Sequence, residues 1–95
     1  MQREQEFNLC MQIFESAGRI STTKGISVNV QYDGGTNALY VFAIKDGEYI
    51  PGWKAGERTV YFGDWYIDHR GEKEFWRAAN LLEGILSDLH ALEEE

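Results

Sequence analysis

Apolar side chains recur along this chain at two periods: three to four residues near either end, and two in the middle. Near the N-terminus, "REQEFNLCMQIFESAG" places Phe7, Cys10, Met11 and Phe14 on one face, with Leu9 and Ile13 beside them. That is helical spacing. The flanking Arg, Glu and Gln favour a helix, and Gly18 offers a stop, so a helix is expected over residues 3–17. At the other end, Phe75, Ala78, Leu82, Ile85, Leu89 and Leu92 alternate spacings of three and four. Ala79 and Leu86 widen that stripe into the apolar face of a second helix. Glu72 and Glu74 suit the positive end of its dipole, whereas Glu93–Glu95 oppose the other end, so the final turn is expected to fray.

Between the helices, "ISVNVQY" alternates: Ile26, Val28, Val30 and Tyr32 face one way, and Ser27, Asn29 and Gln31 the other. Such a pattern predicts a strand with one wet face. "DGGTN" reads as a tight reversal in which Gly34 and Gly35 supply positive φ. "ALYVFAIK" is apolar on both faces and predicts a more central strand, followed by a second hairpin signal at Asp46-Gly47. Pro51 removes a ladder donor and confines "EYI" to a short or edge strand, and "RTVYF" resumes after "KAGE". The pattern leaves open whether that strand runs on through "WYI" or folds back at Gly63-Asp64. The order is α-β-β-β(β)-α. It implies an α+β fold in one domain over residues 1–95: a small antiparallel sheet of three to four strands, with an N-terminal and a C-terminal helix on one face.

Composition adds a compartment and removes some functions. An apolar share of 43% supports a core, and 95 residues are too few for two domains. The single Cys10 cannot form an intrachain disulfide, which favours a reducing, cytoplasmic setting. The N-terminal stretch lacks the apolar run of a signal peptide or membrane span, so no membrane is expected as a partner. Sixteen acidic against nine basic residues give a net charge of −7, which argues against direct nucleic-acid binding through phosphates. From Ala78 to Glu95 there are five acids and no Lys or Arg. The element order also outlines the double-stranded-RNA-binding fold, but such a module needs basic residues where its second helix begins. Here Lys73 and Arg77 are offset by Glu72 and Glu74, which excludes that reading.

Candidate chemistry is sparse. Asp64, Asp68, His69, Arg70 and Glu57 supply residue types for acid–base work or a metal, yet no spacing among them matches a ligand motif. The simpler reading makes Asp68 a helix cap, Asp64 a turn residue, and His69 and Arg70 solvated. His69 and His90 fall at opposite ends of one helix, about 30 Å apart, and cannot share a metal. Cys10 reads as a small core hydrophobe. No catalytic residue, metal or cofactor is therefore expected.

Surface chemistry is richer. Tyr40, Phe42, Phe62 and Phe75 read as core. Trp53, in "PGWKAG" beside Lys54, either folds back over the sheet edge or stands out as an anchor for a partner. Trp65 and Tyr66 point to opposite faces of an extended stretch, so one is expected at the surface. On the last helix, Asn80, Gly84, Ser87 and Ala91 form a small-residue face suited to contact with the first helix or across a homodimer. Glu83, Asp88 and Glu93–Glu95 could form an acidic ridge against a basic surface. These features fit a small acidic, non-enzymatic protein-binding domain. In format it is similar to the inhibitors that phages and mobile elements make. It would sterically block a basic, nucleic-acid-binding surface of a partner protein, with Trp53, Lys54, Trp65, Tyr66, Glu83 and Asp88 as contacts. The alternative is a homo-oligomeric small-ligand binder with an aromatic-lined pocket. An enzyme built on Asp64, Asp68 and His69 ranks last.

Overall fold

The computed structural model describes the backbone of residues 2–62 and 72–95, and the side chains of 4–62 and 78–95. Helix α1 (Gln2–Thr23) leads into strands β1 (Ser27–Asp33), β2 (Ala38–Lys45), β3 (Glu48–Tyr49) and β4 (Arg58–Tyr61), and helix α2 (Glu72–Glu94) follows. The architecture is α+β, with four antiparallel strands.

β2 is the central strand, as its two apolar faces predict. β1 pairs along one edge, from Ser27 opposite Ile44 to Asp33 opposite Ala38. The other edge is shared: β4 takes Ala38 to Val41, and β3 takes Ile44 and Lys45. Between them Ala43 is bonded to the connecting loop, donating to the Trp53 carbonyl and accepting from the Ile50 N–H, each at 3.0 Å. Pro51 thus sits where the chain leaves the ladder, and β3 is only two residues long. At the β2–β3 hairpin both Asp46 (φ 54°) and Gly47 (φ 83°) are left-handed, as a two-residue type I′ turn requires.

The first hairpin differs from expectation. Its left-handed residue is Asn37 (φ 52°), and neither Gly34 nor Gly35 has positive φ. Asp33 Oδ1 accepts the Gly35 N–H at 2.8 Å, so the side chain closes the start of the turn in place of a glycine conformation.

The core lies between the helices and one face of the sheet. Leu39, Val41, Ala43 and Val60 meet Ile13 and Ile20 from α1 and Leu82, Ile85 and Leu89 from α2. Every described position of the α2 stripe, from Ala78 to Leu92, is buried. Tyr40 and Phe42 are not in this core. They alternate with Leu39 and Val41 and point to the opposite face, where they are half-buried and Phe42 meets Tyr49 edge-on.

Two helix-end expectations are corrected by burial and pairing. α1 runs through Gly18 because Ile20, one turn from Ala17 and Ser16, is fully buried and rewards another turn of helix. It ends instead at Gly25 (φ 68°), where the Lys24 N–H donates to the Ile20 carbonyl at 2.9 Å. The last turn of α2 is tied down. Ser16 Oγ donates to Glu93 Oε1 at 2.6 Å, and Arg19 approaches the same oxygen at 3.0 Å. One cation and one hydroxyl on α1 thus offset the unfavourable dipole end. Arg58 similarly engages Asp88 at 2.7 Å, tying β4 to α2.

Gly18 and Gly84 both sit in helix interiors with open space where a Cβ would stand. Replacing either with Ala should stabilise the protein by about 0.5–1 kcal/mol in urea unfolding, from helix propensity alone. The Ser16 hydrogen bond, followed by the Arg19 contacts, holds the Glu93 carboxyl below its ordinary value of 4.5. Its contribution to folding is therefore present above that value and is lost as pH falls below it. Tm measured against pH should show Glu93→Gln less stable than the parent at neutral pH, with the gap closing in acid.

Candidate binding surface

α1 is apolar on two sides. At 100° per residue, Leu9, Ile13, Ala17 and Ile20 cluster on the sheet-facing side and are buried. Phe7, Met11 and Phe14, spaced four and three apart, fall on a second line roughly 130° away. They are 71%, 60% and 65% exposed. The helical spacing from Phe7 to Phe14 is as expected, but it marks the outward face, and the sheet takes the Leu9 and Ile13 side.

Beside this line runs an apolar groove of about 510 Å³. One wall is α1, contributing Phe7, Cys10, Met11 and Phe14, with the largely buried Glu6 among them. The other wall is the end of the sheet: Val30 and Tyr32 from β1, Leu39 from β2, and Phe62 just after β4. Tyr32 lies on the helix side as its alternation predicts, yet it is 60% exposed because it stands at the groove mouth.

Asn37 organises the polar rim. Its left-handed backbone lets its carbonyl accept the Phe62 N–H at 2.9 Å while its side-chain amide donates to the Phe62 carbonyl at 2.7 Å. The same side chain's Oδ1 accepts the Tyr32 hydroxyl at 2.6 Å. Tyr32 and Phe62 are thereby fixed side by side, their ring centroids 6.4 Å apart.

Cys10 lies on the flank between the two faces of α1, half-buried in the groove wall. Burial, reinforced by the nearby Glu6 carboxylate, pushes its thiol up to about 11. It is thus protonated at neutral pH and serves as wall, which agrees with its reading as a small hydrophobe.

The expected contact residues separate. Trp53 is buried, 4% exposed, with the Arg58 guanidinium over its ring at 4.5 Å. Arg58 Nε also donates to the Gly52 carbonyl at 3.0 Å, so the loop is folded back and Trp53 offers no anchor to a partner. Lys54 beside it is exposed. The acidic ridge is smaller than expected, because Asp88 is engaged by Arg58 and Glu93 by Ser16 and Arg19. Glu83, Glu94 and Glu95 remain exposed. Asn80, Gly84, Ser87 and Ala91 are all exposed, and nothing lies within 4 Å of a Cβ at Gly84. That face does not pack on α1, which meets the leucine stripe. Asp64, Trp65, Tyr66, Asp68, His69 and Arg70 lie outside the described residues, as do the side chains of Phe75 and Trp76.

Among the described residues, no group of three His, Cys, Asp or Glu side chains is placed to hold a metal ion. No described helix is long and apolar enough to cross a membrane. No protein-family model matches the chain, and no characterised protein or solved structure matches it significantly. Apolar walls with a polar rim at Asn37 suit insertion of an apolar group.

The groove's Phe14 was legible as a helix-face residue but not as a surface one. Two apolar lines on one helix leave periodicity unable to say which meets the sheet. The thiol offers a direct check on the wall's burial. Alkylation of Cys10 at pH 8 should be at least about tenfold slower than that of an unhindered thiol, because little thiolate is present.

Proposed function

We propose that this chain is a small non-enzymatic protein-binding domain that acts by contact, with the α1 groove as its docking surface. The observation that carries this is the exposure of Phe7, Met11 and Phe14 in one line beside an apolar groove. Contiguous exposed apolar surface of this kind is characteristic of interaction sites.

The net charge of −7 supports a partner with a basic surface. Long-range attraction would steer the two together, and the groove would supply the anchor after encounter. In this reading the protein acts as an inhibitor of the sort phages and mobile elements make: bound through α1, its acidic body covers a basic, nucleic-acid-binding surface of the partner. Exposed carboxylates such as Glu83 contribute steering, whereas Asp88 and Glu93 are engaged within the fold. A second reading is favoured by the lining itself. Phe7, Phe14, Tyr32 and Phe62 make the groove aromatic, and its volume lies within the range of small-ligand sites. That fits an oligomeric small-ligand binder.

Capture of partners on tagged protein, compared between the parent, Phe14→Glu and Glu83→Lys, tests the main reading. Phe14→Glu should lose a stoichiometric partner outright. Glu83→Lys should retain it with slower association, and raising the salt should slow the parent similarly. A partner retained undiminished by Phe14→Glu would remove the groove from the mechanism.

A further inference from the structure

We infer that the α1 groove is filled by an extended segment of a basic partner protein, which adds as an antiparallel strand to the free edge of β1. The inference rests on the reading of the groove as a docking surface and names the conformation and chemistry of its occupant.

Backbone hydrogen bonding selects an extended segment. Among the described residues, β1 pairs only with β2, and its other edge takes no strand. The Val28 N–H donates to Ser21 Oγ at 3.1 Å, so it points away from β2. Ala43, opposite Val28 in register, bonds on its other side to Trp53 and Ile50, which agrees. Backbone direction alternates along an antiparallel strand, so the N–H and C=O groups of Val30 and Tyr32 also point outward. Ser21 caps Val28 and leaves Val30 and Tyr32 as the open stretch. Ser27–Tyr32 contains no charge or proline and its register is unbroken, so the edge lacks the usual guards against strand addition.

The groove lies along this same edge. Val30 and Tyr32 stand opposite Val41 and Leu39, so their side chains face the helices, and both line the groove. α1 lies over β1, and α2 over β4. Phe7 and Phe14 fall roughly 160–180° around α1 from Ser16, which bonds α2 through Glu93. Both rings are therefore on the side of α1 away from α2, above the free edge. A strand added to β1 directs every second side chain to the helix side, beneath these rings. An occupant of another shape would cover the outward N–H and C=O groups without bonding them. Main-chain bonds combined with pockets for alternate side chains are an established mode of peptide recognition.

Charge then selects the partner. No Lys or Arg lines the groove, Asp33 is exposed at the end of β1, and the chain carries −7. A segment with apolar residues at alternate positions and Lys or Arg at its ends suits that setting, whereas a second copy is repelled.

The probe is a fluorescent peptide, KKVTVTVKK, titrated into the full chain. Anisotropy should report a Kd below about 1 mM, and no binding up to that concentration overturns the inference. N-methylation of its valines, which would exchange bonds with Val30 and Tyr32, should weaken binding at least about tenfold. N-methylation of its threonines should change binding less than about twofold, and equal effects of the two overturn strand addition. The peptide EEVTVTVEE should bind at least about tenfold more weakly, and equal binding overturns the basic partner. Amide exchange followed by NMR locates the contact. In the free protein Val30 and Tyr32 should exchange at least about tenfold faster than Asn29 and Gln31, and the peptide should remove that difference. Slow exchange at Val30 and Tyr32 without peptide would mean that the chain itself already covers the edge. Protection that grows with protein concentration would make the occupant a second copy. Either result overturns the inference. Phe14→Glu should keep the parent's urea midpoint and lose the peptide, and a folded Phe14→Glu that binds it like the parent overturns the proposed seat. If the peptide fails but capture of a partner protein still depends on Phe14, the docking reading stands alone. If both fail, both fall.

Discussion

Among the described residues, all strand pairing in the sheet passes through β2. β1 holds one of its edges along its whole length, while β4 and β3 divide the other. Ala43 bridges the gap between those two through the Ile50 and Trp53 backbone. This one strand therefore aligns both layers. Its Leu39, Val41 and Ala43 side meets the helices, and its Tyr40 and Phe42 side carries the outer aromatics. A register slip of a single residue would exchange the two sets and empty the core.

The helices are positioned by that inner face and then by polar ties where the apolar stripe ends. Arg58 links the Trp53 ring, the Gly52 carbonyl and Asp88, so the irregular loop between β3 and β4 is fixed to the sheet edge and to α2 at once. Ser16 and Arg19 do the same for the last turn of α2. Because Leu9, Ile13 and Ile20 already satisfy the sheet and α2, the Phe7 line has no place in the core. The groove follows from this arrangement, with Asn37 holding its far wall.

Much of the fold was legible in the sequence, because period-two and period-3.6 patterns report which side of an element is buried. The centrality of β2, the Asp46-Gly47 turn and the leucine stripe of α2 all came from such signals. The candidate site was far less legible. Periodicity finds an apolar line but not its partner, so Phe7 and Ile13 looked alike on α1. The positive φ of Asn37 was masked by two neighbouring glycines that carry a stronger turn signal. Trp53 was ambiguous because its burial depends on Arg58, five residues on and across a turn. The engagement of Asp88 and Glu93 depends on α1 and β4, which no reading of α2 alone could supply. Contacts across distant segments set these outcomes, and single-sequence patterns do not contain them.

The tie between Ser16 and Glu93 spans 77 residues of chain. During synthesis at about 5–20 residues per second, some ~4–15 s separate the appearance of α1 from that of its last α2 contact. Through that interval α1 carries both of its apolar lines, the Ile13 line destined for the core and the Phe14 line that remains outside. A nascent helix with two apolar sides is a hazard for misassociation, and closing so long a loop slows the native contact that would relieve it. The same two-sided helix that keeps an apolar line outside in the finished protein thus exposes two such lines in the growing chain until α2 arrives.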